Sequence, residues 1–149
     1  MRKLPADARL TQLSGTWVMQ GRQFESIFGP AARINARETF EWLEGHHFMI
    51  HQVNGQVDDH LMGCVEVIGT ERINSFYDDG RKIIWASSFE EQTWIISGWR
   101  IHEHTPIQVR CTTHFADDRH RHAVWELSTD GISWQQFWEV AAWKVKDGV

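Results

Sequence analysis

The stretch "TFEWLEGHHFMIHQVNGQ", Thr39 to Gln56, decides the fold class. Aromatic and aliphatic side chains fall at alternate positions, the period of a β-strand with one buried face, and Glu44-Gly45 and Asn54-Gly55 punctuate the runs as hairpin turns do. A two-residue turn at Glu44-Gly45 would set Leu43 opposite His46, Trp42 opposite His47, Phe40 opposite Met49 and Glu38 opposite His51. One sheet face would then carry Glu38, Phe40, Trp42, His47, Met49 and His51. A second tight turn at Asn54-Gly55 would also bring Asp58 across from His51, whereas a slip of one residue would turn Phe48 and Ile50 to that face instead.

Outward from this hairpin the same signals recur. Period-two alternation or β-branched and aromatic enrichment marks strands near Thr16–Arg22, Arg33–Trp42, His46–Val53, Cys64–Ile68, Ile73–Tyr77, Lys82–Ser88, Thr93–Arg100, Gln108–Phe115, Arg121–Ser128 and Gln135–Lys144. Asp79-Gly80 and Asp130-Gly131 supply further turns with positive φ. Sustained helical periodicity is absent; "LPADARLTQLSG" makes a turn or two, with Leu4, Ala8 and Leu10 roughly on one side and Gly15 as the stop. An open meander of about ten short strands would leave two long edges, so closure is expected. The expected fold is all-β: an antiparallel up-and-down barrel of about 8–10 strands with a short N-terminal helical turn, a single domain over residues 1–149.

Charge and composition narrow the function classes. Fifteen Lys and Arg stand against 20 Asp and Glu, a formal charge of −5 without any long basic run, which disfavours nucleic acid as a partner. No apolar stretch reaches the length of a signal peptide or a membrane span, so a soluble, cytoplasmic protein with no membrane partner is expected. Cys64 and Cys111 sit in strand-like runs and read as free buried thiols. Nine Trp and nine His are the two excesses. Large rings with polar edges suit a ligand cavity, and equally the bulk filling of a small barrel.

The series "LSGTW" (Leu13–Trp17), "FGP" (Phe28–Pro30), "TFEWLEG" (Thr39–Gly45), "CVEVIG" (Cys64–Gly69), "VRCTTHF" (Val109–Phe115) and "WELSTDGISWQQFWEV" (Trp125–Val140) resembles a bacterial domain family of unknown function, over nearly the whole chain. The resemblance implies a lipocalin-type, or calycin, β-barrel, and Gly15-x-Trp17 is similar to the signature that opens the first lipocalin strand. In lipocalins that Trp packs on a basic residue of the last strand, for which Lys144 is the local counterpart. A shared fold confers no activity. The chain departs from the family pattern after "LEG", where His46 and His47 replace a second glycine. Haem-binding barrels related to nitrobindin also begin with a Gly-x-Trp strand, but none of the nine histidines lies in a haem-ligand motif. No cofactor is therefore expected, with haem or metal binding the less favoured alternative.

Three constellations carry chemistry. His51 between Glu38 and Asp58 would form a His–carboxylate acid–base group, with the alternative of a satisfied polar residue at a solvent-facing barrel wall. His120, His122 and Glu126 have the H-x-H-x3-E spacing of cupin metal sites, yet the flanking glycines and a distant fourth histidine are missing, and no metal site is assigned. Arg110, Thr112 and His114 alternate with Val109, Cys111, Thr113 and Phe115, and one of these sets faces inward. His102 and His104 of "IHEHTP" read as solvated loop residues. No nucleophile elbow or phosphate loop is present.

The expected function is binding of a small hydrophobic or aromatic molecule in a Trp- and His-lined cavity, with Trp42, His47, Met49, Trp85, Trp99, Arg110, His114 and Trp125 as its lining. The alternative is a cofactor-independent cyclase, isomerase or dehydratase that uses the His51 pair. A homodimer packed through an outer aromatic face is a third possibility.

Overall fold

The computed structural model describes residues 5–148. A short helix, α1 (Pro5–Thr11), leads into ten strands: β1 (Gly15–Gln23), β2 (Ala32–Trp42), β3 (Met49–Val57), β4 (His60–Ile68), β5 (Arg72–Tyr77), β6 (Lys82–Glu90), β7 (Thr93–His102), β8 (Thr105–Asp117), β9 (His120–Ser128) and β10 (Gln135–Asp147). Each strand pairs antiparallel with its sequence neighbours, and β10 returns to β1, so the sheet is a closed up-and-down barrel without a free edge. No described helix is long and apolar enough to cross a membrane.

The opening hairpin differs from its expected form in both turns. The β2–β3 connection is a six-residue loop, 43–48, with Gly45 at φ 93° and His46 at φ 58°, and Trp42 pairs with Met49. Relative to the expected register the pairing is displaced by two residues. An even displacement preserves parity, so Glu38, Phe40, Met49 and His51 share one face as predicted, and burial shows that face to be the inward one. Asn54-Gly55 is no turn at all; β3 runs through it, and the chain reverses at Asp58-Asp59, with Asp58 at φ 54°. Gly55 serves a close approach instead, since a Cβ there would stand 2.2 Å from the Asn35 carbonyl oxygen.

The two barrel ends are built differently. At one end α1 and the following turn plug the lumen: Leu10 and Leu13 are fully buried and belong to the same core cluster as Trp17, Phe40, Met49, Ile68 and Ile73. Ala8, expected on the buried side, is exposed, while Leu4 lies outside the described residues. The Trp17 indole N–H donates to the Leu13 carbonyl at 2.8 Å, and the Lys144 ammonium donates to the Gln12 carbonyl at 2.7 Å. Lys144 stands 5.4 Å from the Trp17 ring, but the nearer cation is Arg121 of β9, at 4.5 Å. At the other end the β1–β2, β3–β4, β5–β6, β7–β8 and β9–β10 connections surround a mouth.

Candidate functional site

Between plug and mouth lies a cavity of about 450 Å³. Its wall is mostly apolar, and Trp85, Trp94, Trp125 and Trp138, four of the nine tryptophans, contribute to it. The indole N–H groups of Trp85, Trp94 and Trp138 find side-chain oxygens on Ser75, Ser87 and Gln23, so large rings are accommodated without stranded donors.

Polar residues that share the inward face interrupt this lining at one level. His51 on β3 lies between Glu38 on β2 and Glu66 on β4, with Nε2 to Glu38 Oε1 at 2.8 Å and Nδ1 to Glu66 Oε1 at 2.7 Å. The second Glu38 oxygen accepts from Arg121, which reaches across the lumen from β9, and the second Glu66 oxygen accepts from Ser75 on β5. Ser75 in turn accepts from Trp85 at 2.8 Å. The His51 ring stacks on Phe40 at 3.9 Å, and Arg121 lies over Trp17 and Phe40. Together they form the cavity floor.

Burial and pairing oppose one another here, and pairing wins. Burial pushes the Glu38 carboxyl up, but Arg121 and His51 outweigh it and hold the group at about 2. Burial pushes His51 down, yet its bonds to Glu38 and Glu66 raise it to about 9. At neutral pH His51 is an imidazolium donating from both nitrogens. Neither nitrogen keeps a free lone pair.

The expected site residues divide sharply. Glu38 and His51 meet, but the second carboxylate is Glu66. Asp58 is held in the β3–β4 turn, where its Oδ1 accepts from the Arg33 amide at 2.8 Å. Trp85 and Trp125 line the cavity. Met49 is buried at the plugged end and Trp42 is half-buried beside it, with its indole N–H unpartnered. His47 is exposed in the loop; the histidine stacked on Trp42 is His46, at 5.2 Å. Trp99 lies on the outer surface, 58% exposed. Arg110 and His114 also point outward, because Val109, Cys111, Thr113 and Phe115 fill the inner face of β8; Arg110 binds Glu126 at 2.9 Å and stacks on Trp134.

The β9 histidines likewise face out, His120 bonding Asp117 at 2.9 Å and His122 standing 3.6 Å from Glu139. Among the described residues no group of three or more His, Cys, Asp or Glu is gathered as for a metal ion. Arg121, between these two histidines, was the residue missed. Strand parity carried its signal: if His120 and His122 face solvent, Arg121 faces the lumen.

No protein-family model and no curated protein matches the chain. Solved structures place it among closed antiparallel barrels of this type. It is similar to Rv2717c from M. tuberculosis, with a TM-score of 0.68 at 9% identity over 96% of this chain and 99% of that one. It also resembles a protein of unknown function of the DUF3598 family from Nostoc punctiforme, with a TM-score of 0.59 at 9% identity; 91% of this chain matches 49% of the other, so it spans about half that protein's length. At such identity the shared property is the fold.

Proposed function

We propose that the protein binds one small, largely apolar or aromatic molecule inside the barrel. The cavity itself carries this reading: about 450 Å³ falls within the roughly 300–1,000 Å³ of small-molecule sites, and four indoles offer flat apolar walls. A lipocalin-type relationship agrees with the Gly15-x-Trp17 opening and with the cations set over Trp17, although the nearer one comes from β9. A cytoplasmic setting agrees with Cys64 and Cys111 being free thiols, Cys111 pushed up to about 12 by burial and hence unreactive. Binding is favoured over acid–base catalysis because a general base needs an unoccupied lone pair, and His51 has both nitrogens committed to carboxylates.

Isothermal calorimetry with 2-naphthylethanol, a neutral bicyclic probe, tests the proposal. One saturable site per chain is expected, together with quenching of the tryptophan emission. Ala123 lines the cavity, and Ala123→Phe should fill it and remove binding while the protein still melts cooperatively. Binding that survives this substitution would place the probe elsewhere.

A further inference from the structure

Arg100 stands in the cavity wall at the mouth end of β7, and its surroundings differ from those of every other cation there. Arg121 is bonded to Glu38, and Arg81 donates from Nε to Asp79 at 2.7 Å. Arg100 forms no ion pair or hydrogen bond among the described residues. Its guanidinium carbon lies 3.9 Å from the centroid of Phe28, and its Nε–H is buried without an acceptor. Phe28 is held in place by the β1–β2 connection, where Ser26 and Gly29 exchange backbone hydrogen bonds, and by an edge contact with Phe137 at 5.0 Å.

A half-buried cation without an ion pair is costly, because the nearby carboxylate of Asp79 is already bonded to Arg81 and only partly offsets removal from water. Burial and the nearby Arg81 charge lower Arg100 to about 10, which leaves it cationic at neutral pH. Stacking on Phe28 covers a face of the guanidinium, whereas carboxylates bind its edge, so the aromatic contact does not compete with an acid.

We propose that the natural ligand is an amphiphilic acid whose apolar or aromatic body fills the cavity and whose carboxylate pairs with Arg100 at the mouth, beside Phe28. The assignment rests on the cavity being a ligand site. A monoanionic carboxylate is favoured over a phosphate dianion because Asp78 and Asp79 share the mouth wall. Asp79 is neutralised by Arg81, and Asp78 leans over Gly63 on β4, leaving tolerance for one negative charge rather than two. Arg121 at the floor also keeps a buried Nη1 without a partner, but its charge is already met by Glu38, so Arg100 is the cavity arginine left without an ion pair among the described residues.

The test compares three probes that share one ring system: 2-naphthylacetate, 2-naphthylethanol and 2-naphthyl phosphate, titrated by calorimetry at neutral pH. The acid is expected to bind about tenfold more tightly than the alcohol, the scale of one charge-assisted pair, and more tightly than the phosphate. In Arg100→Gln the preference for the acid, read as the ratio of acid to alcohol affinity within the same variant, should vanish; in Arg100→Lys, which keeps the charge without the planar fork, it should shrink. Equal affinities for acid and alcohol in the native protein, or an unchanged preference in either variant, would overturn the head-group assignment while cavity binding stands. Tighter binding of the phosphate would overturn the choice of carboxylate. If none of the probes binds, cavity binding and head-group assignment fail together.

Discussion

Two arginines face the same cavity and do opposite things. Arg121 at the floor is the more deeply buried, yet its charge is met by Glu38, and that carboxylate is tied through His51 and Glu66 to Ser75. Arg100 at the mouth is only half-buried and has no such partner among the described residues. Burial alone therefore does not mark a functional side chain. Each arginine keeps one buried nitrogen without a partner, so the difference is one of charge: the floor cation is ion-paired within the wall, while the mouth cation has capacity left for a ligand anion.

The largest expected effect comes from breaking the floor. Arg121→Met would leave the buried Glu38 and Glu66 carboxylates with His51 as the one cation between them, and should cost about 3–5 kcal/mol of stability, read from the denaturant midpoint. Adding Glu38→Gln should recover part of that loss, since the uncompensated charge goes with it. No recovery would mean that Arg121 acts through packing on the rings rather than through its charge.

pH probes the same region with somewhat smaller consequences. The His51 pKa is raised from 6.5 to about 9, so its contribution is complete below 6.5 and is lost as pH rises through about 9. The Glu38 pKa is lowered from 4.5 to about 2, so its contribution is complete above 4.5 and is lost as pH falls through about 2. Tm should therefore be highest between 4.5 and 6.5 and decline on both sides, by on the order of 3 kcal/mol in stability on the alkaline side. In His51→Gln the alkaline decline should flatten.

Smaller effects are expected toward the mouth. Asp58→Ala removes the acceptor for the Arg33 amide and leaves a side chain less tolerant of positive φ, for a loss of about 1 kcal/mol in thermal unfolding. Arg100→Gln should change stability by no more than about 0.5 kcal/mol in either direction, because no folded-state pair is broken. A loss comparable to that of Arg121→Met would erase the contrast between floor and mouth and make Arg100 structural.

Strand identity was legible because alternation is a local property. The ten expected strands match the ten observed, and the inward set on β2 and β3 survived a two-residue change of register because parity was unaffected. Turn placement was less legible. Asn54-Gly55 has the chemistry of a type I′ turn, and its glycine is instead required by Ala36 on the neighbouring strand, information held on β2 rather than in the dipeptide. On β8 both alternating sets contain polar residues, so Arg110 and His114 could not be assigned a side until Cys111 and Thr113 were seen packed inside.

By itself the sequence determined a closed barrel of short antiparallel strands and the presence of His51 and Glu38 on one common face, since period-two patterning and turn chemistry act over a few residues. Tertiary structure decided which partners those residues meet. Glu66 replaced Asp58, Arg121 arrived from 83 positions away, and Arg100 was left without a carboxylate. Contacts across a lumen depend on closure, strand stagger and loop length together, and no local pattern encodes their sum.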